Sequence, residues 1–214
     1  MQTLIYLLRH GQSMSNVDNT FAGHTDVELS ELGKKQAAAT CRELQNVHID
    51  AVYASDLKRA FYTAKVHADL RGIPCTPDKR LREIYLGDWE NASVDMLKDK
   101  YHDLYYNVWV KNFGEFRALN GEYVPDVAER MYDAILDIAK ENPGKTVLLA
   151  SHAGAIKALW GKINGVPWCE LAKAFPYPAN ASYSKILYDG EKLIPLEYSH
   201  DEHLGDLLTK WVDK

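Results

Sequence analysis

Two histidines carry the chemical interest of this chain: His10, in Leu7-Leu8-Arg9-His10-Gly11, and His152, in Leu148-Leu149-Ala150-Ser151-His152-Ala153-Gly154. An imidazole can act as nucleophile, proton carrier or hydrogen-bond donor near neutral pH, and each of these two follows an apolar run where a strand should stop and a helix begin. In an open α/β sheet, ligands bind in the crevice beyond the carboxyl ends of the strands, so two such histidines can meet although they are far apart in the chain. With a net charge of −5, any anion site must be a local basic pocket, and Arg9 beside His10 is a first contribution to one.

The elements that would position them follow from periodicity and capping. Thr3 to Leu8 reads as a strand covered on both faces, ended at Gly11. A polar, aperiodic stretch from Gln12 to Leu29 follows, long enough to suggest a functional loop, and Ser30 then reads as the N-cap of a helix through Lys34, Ala37, Cys41 and Leu44. Ala51 to Ala54 reads as a second buried strand, and Asp56 as the cap of a helix that reaches Leu70 and stops at Arg71-Gly72. Pro125 precedes a helix with Val127, Met131, Ala134, Ile135 and Ile138 at helical spacing, ended by Asn142-Pro143-Gly144. Thr146 to Ala150 reads as another strand, Gly154 to about Ile163 as a helix, and Tyr183–Tyr188 with Lys192–Tyr198 as a hairpin extending the sheet antiparallel. The pattern predicts an α/β fold of three layers, an open, mostly parallel sheet with helices on both faces. The aromatic-rich region of about residues 93–123 fits a helical lid or insertion into a single domain spanning residues 1–214.

The totals narrow the function. At 214 residues with 46% hydrophobic composition the chain can bury one substantial core, and its acidic balance argues against a general nucleic-acid surface. Cys41, Cys75 and Cys169 are odd in number and lack CxxC spacing, which fits reduced thiols in a cytoplasmic protein and neither a disulfide framework nor a zinc site. No apolar run approaches the ~20 residues of a membrane span, so no membrane partner is expected.

The segment Leu8-Arg9-His10-Gly11-Gln12-Ser13-Met14-Ser15-Asn16 resembles the N-terminal signature of the histidine phosphatase superfamily, which also contains the cofactor-dependent phosphoglycerate mutases. The resemblance continues in order through Phe21-Ala22-Gly23-His24-Thr25-Asp26, Leu29-Ser30-Glu31-Leu32-Gly33, Tyr53-Ala54-Ser55-Asp56-Leu57-Lys58-Arg59-Ala60, Leu81-Arg82-Glu83-Ile84 with Gly87-Asp88-Trp89-Glu90, and Ser151-His152-Ala153-Gly154. Taken singly, Arg9, His10, Arg59 and Glu83 are as well read as ordinary structural or surface residues; as an ordered set they are not.

The resemblance implies a small phosphorylated metabolite as substrate and phosphoryl transfer as chemistry. That reaction needs an in-line nucleophile, charge on the equatorial oxygens and a proton for the leaving group. His10 would be the nucleophile, its other ring nitrogen held so that a phosphohistidine can form. Arg9, Arg59, Asn16, Gly23 and His152, with the backbone N–H of Ala153, would bind the phosphoryl group. Glu83 would be the general acid and base, with Leu81, Ile84 and Leu86 as apolar surroundings favouring its protonated form. No cofactor and no metal are implied, and a homodimer is compatible with such a domain.

Three readings remain open: a phosphatase, a mutase, and a phosphate-binding regulatory module without turnover. In the mutases the segment after the catalytic Glu carries Tyr and Lys, and a later insertion carries an Arg pair; here stand Leu86 and Gly87-Asp88-Trp89-Glu90, with no Arg-Arg anywhere, and carboxylates near the pocket would repel a second phosphate. The phosphatase branch is therefore expected, although Asn91 and Gly121-Glu122-Tyr123 depart from its usual pattern. His200 and His203 have metal-like spacing but no companion ligands, and His24 reads as structural or at the pocket rim. Of Tyr101, Tyr105, Tyr106, Trp109 and Phe113, most are expected to be packing, with one or two facing the site.

Overall fold

The computed structural model describes residues 1–209; the last five residues of the expected 1–214 unit lie outside them. In chain order the strands are β1 (Thr3–Arg9), β2 (Ala51–Ala54), β3 (Cys75–Pro77), β4 (Thr146–Ser151), β5 (Tyr183–Tyr188) and β6 (Leu193–His200). The helices are α1 (Met14–Val17), α2 (Glu31–Glu43), α3 (Lys58–Arg71), α4 (Val94–Lys100), α5 (Val124–Glu141), α6 (Ala153–Ile163) and α7 (Leu171–Ala174), with a π-helical stretch at Leu104–Val110. One sheet runs in the order β3-β2-β4-β1-β5-β6. Its first four members are parallel to one another, while β5 and β6 are antiparallel additions at one edge.

Alternation along β1 explains the three layers. Ile5 and Leu7 enter the core shared with Met131 and Ile135 of α5 and Ile156 and Leu159 of α6, whereas Tyr6 and Leu8 enter the opposite core with Ala60, Ala64 and Ala68 of α3. On that second face α2 packs against α3, its N-terminus capped by Ser30, whose hydroxyl accepts the Gly33 N–H at 3.0 Å. The 94–116 segment sends Leu97, Tyr105, Trp109, Phe113 and Phe116 into the same core as α5 and α6.

One local expectation is corrected. Asp56 does not cap α3: the N-cap is Leu57, with no side-chain bond, and the Asp56 carboxylate instead takes a two-pronged bond from Arg82, Nε to Oδ1 and Nη2 to Oδ2, each 2.6 Å. Strand β3, three residues at the sheet edge and ending on Pro77, was not anticipated; a short edge strand tolerates a proline. No helix of the described residues is long and apolar enough to cross a membrane.

Candidate active site

Parallel pairing in register brings the two histidines together. β1 and β4 align from Leu4↔Thr146 to Arg9↔Ser151, and the ladder continues with His10 N–H donating to Ser151 O at 3.0 Å. The residues that leave the two strands next are therefore neighbours, and the His10 and His152 rings stand 5.1 Å apart, edge to face. Between β1 and α1 the chain passes so close to α2 that a Cβ on Gly11 would lie 2.4 Å from Gly33 O, and one on Gly33 would lie 2.0 Å from Gln12 O. The loop after β1 is thus pressed onto the helix that Ser30 starts.

His10 is buried, and its Nδ1–H donates to the carbonyl of Gly11 at 2.7 Å, which leaves Nε2 with the free lone pair. Burial, with help from the nearby Arg59 and Arg9 charges, holds its pKa well below the ordinary histidine range, so the ring is neutral. Arg9 donates through Nη1 to Pro178 O at 2.6 Å, and Arg59 donates through Nη1 to Thr25 O at 2.9 Å and Nη2 to Gly23 O at 2.7 Å. Burial lowers both guanidinium groups to about 10, which keeps them charged at neutral pH. Asn16 closes the capping box of α1: its Oδ1 accepts from the Ser13 N–H at 3.0 Å and from Asn180 Nδ2 at 3.3 Å, so Nδ2 is the end left to donate.

Glu83 sits on the first amides of α6. Its Oε2 accepts the Gly154 N–H at 3.1 Å, and Oε1 accepts those of Ala155 at 2.8 Å and Ile84 at 3.0 Å. Leu81, Ile84 and Leu86 are buried as expected, but the carboxylate itself is met by three backbone donors, so the expected apolar surroundings do not enclose it. A Cβ on Gly154 would lie 2.9 Å from Oε1, which explains a glycine there. Since two of the helix's first amides serve Glu83, Ala153 is the one left beside the cleft.

A cleft of about 580 Å³, its open mouth included, is lined by Arg9, His10, Asn16, Gly23, Arg59, Glu83 and Ala153. His152 is not on that wall; it lies fully buried against His10, its Nε2 bonded to Ser55 Oγ at 2.8 Å and its Nδ1 without a partner among the described residues. Phe21, Ile84, Leu86, Trp109 and Tyr177 form the apolar part of the wall. Trp109 is thus the aromatic of the 101–113 group that reaches the cleft, while Tyr105 and Phe113 pack in the core.

Residues without a readable signal complete the site. Asn180 donates to His10 O at 3.2 Å. Tyr177 and Pro178 come from a Pro-rich stretch that marks a turn and no chemistry.

The carboxylates of the Gly87-Asp88-Trp89-Glu90 block hold loops around the cleft. Glu90 does not face a bound phosphate: its Oε1 accepts the His24 N–H at 2.8 Å and the Leu86 N–H at 3.1 Å, and its Oε2 accepts from Thr25 N–H at 2.8 Å and Thr25 Oγ1 at 2.7 Å. Asp88 accepts from Asn120 Nδ2 at 3.1 Å, away from the cleft, and Trp89 is core. These carboxylates brace loops and do not line the cleft, in which Arg9 and Arg59 are the cations among the described residues. His203 bonds Thr40 Oγ1 at 2.9 Å and His200 bonds Glu197 at 3.0 Å, so neither faces this cleft.

A three-layer α/β sheet with a histidine at the carboxyl end of its first strand and a basic cleft around it defines a phosphoryl-transfer class. The family model described as histidine phosphatase superfamily (branch 1) matches residues 5–200, and the chain belongs to that family. The phosphoserine phosphatase 1 of Hydrogenobacter thermophilus is 30% identical over 207 residues, 96% of each chain. A probable phosphoglycerate mutase, GpmB, of Yersinia pestis is 34% identical over 164 residues, 76% of this chain and 75% of that one. Among solved structures, Bacillus stearothermophilus YhfR superposes with a TM-score of 0.88 at 31% identity, covering 94% of this chain and 99% of that one. A mycobacterial glucosyl-3-phosphoglycerate phosphatase superposes with a TM-score of 0.85 at 28% identity, covering 92% and 99%.

Proposed function

We propose that this protein is a metal-independent phosphoric monoester hydrolase acting on a small phosphorylated metabolite through a phosphohistidine at His10. The observation that carries the reading is a neutral imidazole whose Nδ1 is tied to Gly11 O, in the same cleft as Arg9, Arg59 and Glu83. His10 Nε2 attacks phosphorus while Arg9, Arg59, Asn16 Nδ2 and the Ala153 N–H stabilise the charge on the phosphoryl oxygens, and His152, packed edge to face behind the His10 ring, is assigned the support of that ring. The P–O bond to the leaving group breaks, and Glu83 gives a proton to the departing oxygen. Water then attacks the phosphohistidine as Glu83 takes back a proton, and inorganic phosphate leaves.

The phosphatase-named relatives support hydrolysis over mutation. Residues 93–123, which bring Trp109 to the cleft, are assigned the part of an inserted lid that selects the leaving group. A cytoplasmic setting is supported by three free cysteines, and a homodimer belongs to the same reading, checked by sedimentation. The function is tested with p-nitrophenyl phosphate in excess chelator: the wild type hydrolyses it and His10→Ala does not. Loss of activity in chelator would reject the metal-independent mechanism, and activity in His10→Ala would reject the nucleophile.

A further inference from the structure

The loop that receives Arg59 and the segment that carries Glu83 are joined by the His24 side chain as well as by Glu90. Its flanking residues, Gly23 and Thr25, supply the two carbonyls bound by Arg59, and its own backbone N–H is fixed by Glu90 Oε1. Its ring Nε2–H donates to the main-chain carbonyl of Glu83 at 2.8 Å, and the ring stands 5.2 Å from that of Tyr85. His24 itself is not among the residues that line the cleft.

The carbonyl it holds belongs to the same peptide unit as the Ile84 N–H, which donates to Glu83 Oε1 at 3.0 Å. A trans peptide is planar, with its C=O and N–H pointing opposite ways, so pinning the oxygen aims the hydrogen at the carboxylate. Arg130 also reaches this carbonyl, but at 3.2 Å and with the same Nη2 that serves Glu122 at 2.9 Å, while its Nη1 is shared between Arg80 O and Arg82 O. The imidazole makes the shorter bond.

We infer that His24 is a positioning residue: through the Glu83–Ile84 peptide it holds the Glu83 carboxylate at the angle proton transfer needs, and anchors it to the loop that binds Arg59. The inference rests on Glu83 being the general acid. A positioning role predicts a loss that grows as the leaving group worsens, because an aryl oxide departs with little help and an alkoxide does not.

The experiment measures kcat/KM, which reports the step in which the leaving group departs, for propyl phosphate and p-nitrophenyl phosphate in His24→Ala, His24→Gln and Glu83→Gln. For His24→Ala we expect about a tenfold or greater loss on the alkyl ester and less than about threefold on the aryl ester, well short of the full value of acid catalysis. His24→Gln, whose amide N–H reaches the same carbonyl, restores most of the alkyl activity. Equal losses on both esters in His24→Ala, or an undiminished alkyl rate, overturn the inference while Glu83→Gln still shows the split; a missing split in Glu83→Gln overturns the acid assignment itself. If His24→Ala does not fold, His24→Gln against the one-methylene-shorter His24→Asn decides: a larger alkyl-selective loss in Asn supports the role, and identical profiles reject it.

Discussion

The backbone N–H of Ala155 lies 2.8 Å from Oε1 of Glu83, so the carboxylate and the helix that follows His152 form one unit. Whatever moves the start of α6 moves the proton donor with it, although the two are far apart in the chain.

This makes Gly154 an unusually direct probe. A methyl at that position would lie 2.9 Å from Glu83 Oε1 and equally close to Ile84 Cδ1, so Gly154→Ala must displace the carboxylate or the isoleucine. We predict about a tenfold or greater fall in kcat/KM for alkyl phosphates and a smaller fall for aryl phosphates, with a thermal midpoint lowered by only a few degrees. Equal kcat/KM values for wild type and variant on an alkyl ester would contradict the assigned place of Glu83.

Arg59 presents its two Nη atoms to two different carbonyls, of Gly23 and Thr25, and lines the cleft from the same planar group. A lysine keeps the charge but not the fork. Arg59→Lys is therefore predicted to weaken inhibition by inorganic phosphate and to lower kcat/KM by about 10²-fold or more, the scale of losing a transition-state donor. Steady-state kinetics with phosphate as inhibitor check this, and an unchanged inhibition constant would contradict it.

Acid sensitivity follows from three buried neutral histidines. Burial, with the Arg71 charge, lowers His67 to about 3, and His10 and His152 are also held well below the ordinary value. Each binds a proton more readily unfolded than folded, so each contributes stability that is present above about pH 6.5 and is lost as pH falls toward the folded pKa. Neither ring nitrogen of His67 has a partner among the described residues, and this residue lies outside the cleft. We predict that the denaturant midpoint falls from pH 7 to pH 5, and that His67→Leu makes this decline shallower by up to about 1.4 kcal/mol per pH unit without reducing activity at pH 7. Parallel pH profiles for the two proteins would contradict it.

The parts of the site that were legible in the sequence are those with short-range signatures. A continuous apolar run ending in Arg9-His10-Gly11 marks β1 and its exit, and Ser30 announces α2 because capping is local chemistry. The packing of Asp56 was not legible, since its partner Arg82 lies in another block and nothing local distinguishes a helix cap from one half of an ion pair. The same holds for Glu90, which spacing places near the cleft but whose four hydrogen bonds to residues 24, 25 and 86 turn it away. Asn180, which supports His10 from after α7, has no motif around it; only the antiparallel return of β5 beside β1 brings it there.

The central claim is a covalent bond between His10 and phosphorus, and rapid acid quenching of enzyme mixed with a labelled phosphomonoester tests it most directly. The account predicts label on the wild-type protein that is stable in alkali, lost in acid on standing, and absent from His10→Ala. Label that survives acid, or that persists in His10→Ala, would contradict it.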